Sequence, residues 1–237
     1  MSEVPHSDEA LERVARAIRR ISAVGVGRPI ADEQLLEAAA TLESVASKLE
    51  AVAEDRKRPR QEPGPGVDPR RMFPTSPIIG AANPVAPPAV LWTVDGEDGR
   101  TEIRGEVVFG YPYEGPPTCA HGGIIAELFD EMLGCANIVA NAAGMTGTLT
   151  IKYRKPTPLM SRLDLVARHT HAEGRKSFAW GGIYHDGVLT AEAEGIFITM
   201  AANRMLDIVK ANAGEVGSQV VDAGFVELIS QFAPDGD

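Results

Sequence analysis

Residues 121–144 read HGGIIAELFDEMLGCANIVANAAG, and everything else in the chain is best read outward from them. Two glycines release the backbone, apolar residues then recur at helical spacing, and Gly144 supplies a stop, which together predict one long helix. The first N–H groups of a helix have no partner within it, so the backbone at Gly122 and Gly123 forms a place to hold a developing oxyanion. Asp130, two turns on, supplies a carboxylate on the same helix. An acyl-transfer or thioester-hydrolysis site requires these two parts.

Gly123 and Asp130 are seven residues apart, nearly on one face but about 10 Å apart along the axis at about 1.5 Å per residue. A reacting carbonyl needs both nucleophile and donors at about 3 Å, so one helix cannot complete the site. Two such helices lying antiparallel across a two-fold axis would, with Gly122 and Gly123 of one chain meeting Asp130 of the other. The spacing therefore predicts a dimer with composite sites. Leu128, Phe129, Met132 and Leu133 surround Asp130, which places it on a narrow polar stripe or partly buried. Glu127 and Glu131, at i and i+4, read as a solvent-facing or interface pair rather than a base. Cys119, two residues before His121, reads as a small packed thiol rather than a nucleophile.

The chain has 237 residues, 44% hydrophobic and 24% charged, which suits one globular domain with extensions. A formal net charge of −10 argues against nucleic acid as a partner. No stretch reaches the roughly 18 apolar residues of a membrane span, and the acidic start MSEVPHSDEALE lacks the pattern of a signal peptide. A cytoplasmic location is the resulting expectation. Two cysteines, Cys119 and Cys135, give neither a disulfide framework nor a four-ligand metal site.

The organisation falls into four parts: an N-terminal helical extension over 1–58, a Pro/Gly-rich linker over 59–75, the main domain over 76–202 and a C-terminal helical tail over 203–237. Leu11, Val14, Ile18 and Ile21 mark a first amphipathic helix. Leu35, Leu42, Val45, Leu49 and Val52 mark a second, longer one after Pro29, with a near-heptad stripe that must be buried on the main domain or on a dimer partner. Prolines continue to residue 88, and the whole of 56–88 is expected to run extended over the surface, its basic run 56–60 being a solvated turn. From about residue 89 the pattern is β-β-α-β-β-β-β: AVLWTV, TEIRGEVVFG, the long helix, then runs at 145–153, 162–171, 176–184 and 188–200. In 145–153, Thr146, Thr148, Thr150 and Lys152 alternate against Leu149, Ile151 and Tyr153. One apolar helix amid an antiparallel sheet is best buried by wrapping the sheet around it, an α+β fold.

The string over 115–156, GPPTCAHGG…FDEMLG…MTGTLTIKYRKPTPL, with AEGRKSF after it, resembles the hot-dog-fold acyl-CoA thioesterases. It is most similar to the phenylacetate-pathway type and, within it, to the thioesterase superfamily member group. The resemblance covers about residues 75–202. It implies a hot-dog fold, an antiparallel sheet around a long central helix, and a homodimer or dimer of dimers that hydrolyses medium- or long-chain fatty acyl-CoA. It implies Asp130 as general base or nucleophile, the backbone at Gly122 and Gly123 as oxyanion hole, Thr146 as the residue that orients water, and His121 as a structural cap of the loop. No metal or cofactor is implied, coenzyme A being part of the substrate. Many phenylacetate-type relatives carry an Asn six residues before the HGG histidine. Gly115 stands there in this chain, so the hole rests on backbone donors.

Arg154, Lys155, Arg175 and Lys176 are the candidate cations for the phosphates of coenzyme A. Leu128, Met132 and Leu149 are the candidate lining of an acyl tunnel. Two other readings remain beside hydrolysis. One is a non-catalytic acyl-CoA or lipid-binding dimer whose helical extension recruits a partner. The other is a hydratase or dehydratase using His169, His171 or His185.

Overall fold

The computed structural model describes residues 8–53, 73–96 and 99–199. The expected tail over 203–237, most of the linker, the basic run 56–60 and Met200 lie outside the described residues. Two N-terminal helices, α1 (Asp8–Gly27) and α2 (Asp32–Glu50), precede the strands β1 (Val90–Asp95) and β2 (Thr101–Val108). The central helix α3 (Gly122–Val139) follows, and then β3 (Met145–Tyr153), β4 (Arg162–Glu173), β5 (Lys176–His185) and β6 (Val188–Ile198). All pairings are antiparallel and the sheet order is β1-β2-β4-β5-β6-β3, so β3 is an edge strand although it comes third in sequence. Among the described residues no helix is long and apolar enough to cross a membrane.

The sheet wraps α3 because α3 presents it with a broad apolar stripe. Ile125, Leu128, Phe129, Met132, Leu133 and Ala136 follow the i, i+3, i+4, i+7 pattern, and all are at most 2% exposed. They meet the inward positions of the strands, Ile103, Leu163, Leu165, Ala179, Ile183, Ala193 and Phe197. Each large buried side chain contributes about 1.5–3 kcal/mol of transfer free energy. The hairpin between β5 and β6 turns on Asp186 and Gly187, both at positive φ, as a two-residue turn of this hand requires.

Three local expectations need correction. Gly144 does not end the long helix: α3 stops at Val139, and Asn141 takes the left-handed conformation (φ 53°) that its short polar side chain tolerates. Gly144 instead lets the chain enter β3 against β6, where a Cβ would lie 2.7 Å from the Ile198 carbonyl. Residues 73–89 do not run extended over the surface. They fold in successive turns, closed by bonds such as Gly80 N–H to Ser76 O, and insert Ile78 and Ile79 into the core at 2% and 1% exposure. Proline forbids a helix there without forbidding burial, because the turns satisfy their own backbone groups. Finally, α2 has 19 residues against 20 in α1, so the second helix is not the longer.

The two N-terminal helices differ in how they attach. α1 buries Ala15, and Arg19 donates to the carbonyls of Asn83 (2.7 Å) and Ala81 (3.2 Å). α2 buries no residue at all.

Candidate active site

His121 forms the N-cap of α3. Its backbone is extended, its own N–H donates to the Tyr113 carbonyl, and its Nδ1 accepts the Gly123 N–H at 3.0 Å. A neutral imidazole that accepts at Nδ1 carries its proton on Nε2. The cap takes one of the two donors expected to form the oxyanion hole, which leaves the Gly122 N–H as the member of the pair with no acceptor among the described residues. Gly122 is held from its other side: Tyr153 Oη, at the far end of β3, donates to the Gly122 carbonyl at 2.8 Å.

Two turns along α3, Asp130 is exposed, and Thr146 Oγ1 donates to its Oδ1 at 2.6 Å. Straight alternation would send Thr146 outward with Thr148 and Thr150. A β-bulge decides otherwise, since the register slips between Thr146 and Thr148 and Gly147 is the extra residue. Thr146 pairs with Phe197, which is 2% exposed and faces the helix, whereas Thr148 and Thr150 pair with Ile196 and Glu194. The bulge turns one threonine of the strand toward the acid.

A cavity of about 370 Å³ opens beside this pair, lined by Phe73, Asp130, Glu131, Gly134, Cys135, Ile138, Gly144, Met145, Thr146 and Phe197. Leu128 and Met132 do not line it. Both are fully buried against the sheet, because residues two positions from Asp130 point about 200° around the helix from it. Leu149 packs partly buried against the core rather than in the cavity.

Glu127 and Glu131 do not form a pair either. Glu127 is exposed, whereas Glu131 accepts from Ser76 Oγ at 2.9 Å. Burial pushes the Glu131 carboxyl upward, the Ser76 bond opposes this, and the Asp130 charge adds to it. The Cys135 thiol is pushed up strongly, first by burial and then by Glu131, so it stays protonated. Cys119 is half-buried and bridges Pro158.

The candidate cations fall into two groups at opposite ends of the sheet. The Arg154 and Lys155 N–H groups both donate to the Thr190 carbonyl, while Lys176 pairs with Ile198, eight residues further along β6, or about 26 Å at about 3.3 Å per residue. Arg154 is also engaged with Glu192, its Nε at 3.0 Å, and this holds the Glu192 carboxyl below its usual range. Lys155, Arg175 and Lys176 are exposed.

None of the histidines of the hydratase reading lines the cavity. His169 Nδ1 lies 3.0 Å from Asn137 Oδ1 and 3.2 Å from Ser177 Oγ, and burial is the largest of the effects that lower its pKa. His171 stacks on Phe178, and His185 sits 3.6 Å from Asp186. Among the described residues no cluster of three His, Cys, Asp or Glu side chains could hold a metal ion.

A crystal structure of a thioesterase superfamily protein is 33% identical, matches 82% of this chain and 93% of its own, and superposes with a TM-score of 0.70. The chain belongs to the thioesterase superfamily. Its architecture is the hot-dog fold. An acyl-coenzyme A thioesterase THEM4 from Xenopus laevis is 36% identical over 92 residues, and that from Mus musculus 34% identical over 100 residues. These matches take in 38% and 41% of this chain, and they span 41% and 43% of the two relatives, about two fifths of their length. No protein-family model matches the chain.

Sequence reasoning missed three parts of the site. Tyr153 stood within the resemblance but carried no role. The bulge at Gly147 had only the glycine itself as a signal. The Ser76 contact to Glu131 joins positions 55 apart and left no local trace.

Proposed function

We propose that this superfamily member is an acyl-CoA thioesterase acting on medium- or long-chain acyl groups, with composite sites in a homodimer. The observation that carries the reading is the 2.6 Å bond from Thr146 Oγ1 to Asp130 Oδ1 at the mouth of a mainly apolar cavity. Thr146 fixes one carboxylate oxygen and leaves Oδ2 to take a proton from water. That water adds to the thioester carbonyl, the oxyanion forms against the Gly122 N–H of the second copy, and collapse breaks the C–S bond. The proton held by Asp130 passes to the departing sulfur, which leaves free acid and coenzyme A. Direct attack by the carboxylate, giving an anhydride that water then opens, uses the same groups.

Dimerisation is supported by the edge. β3 is nine residues long and mostly exposed, and its outer row of backbone groups is unpaired within the sheet. A strand of this kind is a template for pairing with another chain. Tyr153 with Gly122 and Thr146 with Asp130 lie at opposite ends of β3, so antiparallel pairing of two copies along it brings each acid toward the other copy's helix head. That head carries Arg154 and Lys155 with it, next to Arg175 and Lys176 of the first copy, and the four would then serve the coenzyme A phosphates together. A panel of acyl-CoA substrates read by a thiol reagent, with mass in solution measured alongside, tests the proposal. Full turnover in Asp130→Asn would end it. The engagement of Gly123 by the cap favours a second reading, acyl-CoA binding without hydrolysis, which saturable binding with no thiol release would support.

A further inference from the structure

Helix α2 is exposed along its whole length, yet its sequence is patterned for burial. All 19 residues are exposed, and none touches the core. A free helix of this length is marginal in water, so an exposed apolar seam on it needs a partner. The seam is regular. Leu35, Leu42 and Leu49 recur every seven residues, and Ala38 and Val45 stand three residues after the first two, continued by Val52 just beyond the helix. These are the a and d positions of a heptad, and Leu42, Val45 and Leu49 are 41%, 48% and 54% exposed.

We infer that this seam is covered by the same helix of a second copy of the chain, as an intermolecular two-helix coil. The flanking positions carry the choice of partner. Those beside the seam are Asp32, Gln34, Ala39, Thr41, Ala46 and Lys48, of which only Asp32 and Lys48, of opposite sign, are charged, while Glu33, Glu37, Glu43 and Glu50 all fall on the outer b, c and f positions. Two copies can therefore close without setting like charges against each other, even though the helix as a whole is acidic. Alanines at 38, 39 and 46 allow a close approach.

The chain's own geometry is compatible. α1 is anchored through Arg19 and Ala15 and lies against the turn at Tyr111, where a Cβ on Gly27 would meet the Tyr111 ring at 2.2 Å. Tyr113 of the same turn accepts the N–H of His121 at the head of α3. The root of the extension thus stands next to the end of α3 that the proposed composite site brings to a second copy. That continuity rests on the proposed dimer, whereas the seam and its flanks do not.

The test is oxidative crosslinking of the full chain. Leu42 lies near the middle of the seam, so either relative orientation brings the two copies of it together. Leu36 is 71% exposed and lies off the seam. Under mild oxidant, Leu42→Cys is expected to give at least tenfold more covalent dimer than Leu36→Cys or the unsubstituted chain, whose Cys119 and Cys135 set the background. Adding Val45→Glu to Leu42→Cys should remove that excess about tenfold. Equal crosslinking at positions 42 and 36, or no crosslink at 35, 42 or 49, overturns the inference. The readout contains no turnover, so the catalytic reading can fail while this one stands, and the reverse.

Discussion

The two ends of the site on α3 are held in opposite ways. At the helix head, the Gly122–Gly123 backbone is fixed twice, by the His121 cap and by the Tyr153 tether. Eight residues on, Asp130 is exposed, and among the described residues its side chain takes one hydrogen bond, from Thr146. A donor that must wait for a charge gains from rigidity, since a preformed dipole needs no reorganisation when the oxyanion appears. A carboxylate that must take a proton and give it back needs one oxygen left free. Under the proposed function, the difference suits a preformed donor at the head and a reacting carboxylate at Asp130.

Substitution can break that contrast, and the largest effect is expected at the acid. Asp130→Asn should lower kcat for acyl-CoA by about 10²–10⁴ while far-UV circular dichroism stays unchanged, because an exposed residue carries little of the fold. Thr146→Ala should come next: Asp130 then loses the bond that fixes its Oδ1, and kcat should fall about 10²-fold, with Thr146→Ser largely restored. Equal activity in Thr146→Ala would show that Thr146 plays no part. Tyr153→Phe removes only the tether, so about a tenfold loss in kcat with KM little changed is expected. A KM effect alone would move Tyr153 from the oxyanion end to substrate binding.

The smallest effect lies outside the site and concerns pH. His169 has its pKa lowered by burial and by the charges of Arg100 and His171, so the unfolded chain binds its proton more readily than the folded one. The stability it contributes is complete above the unfolded value of about 6.5 and is lost as pH falls through the lower folded value. Thermal melts from pH 7.5 to 5 should show a shallower acid decline for His169→Gln than for the unsubstituted chain. An identical decline would show that His169 does not titrate in this range.

Much of the fold was legible because it rests on local periodicity. The apolar stripe of α3, the turn at Asp186 and Gly187, and the bounds of β3 follow from residues within a few positions of each other. The glycine head was legible for the same reason, whereas the cap at His121 was implied by the family resemblance. The lining was not. Leu128 and Met132 looked like neighbours of Asp130 along the chain and are its opposites around the helix. Residues 73–89 were misjudged because proline content reports what a segment cannot form and says nothing about where Ile78 and Ile79 go.

The sequence by itself determined that a glycine-headed apolar helix sits among antiparallel strands with Asp130 two turns from its head, since spacing at 3.6 and 2 residues needs no partner to be read. It also showed that head and acid are too far apart to act on one carbonyl. Only the tertiary structure decided that Gly147 bulges and turns Thr146 onto Asp130, that Tyr153 reaches Gly122, and that Ser76 reaches Glu131. Each of these joins positions far apart in sequence. Register and packing are set by which faces must be buried together, and no single stretch of the chain contains both faces.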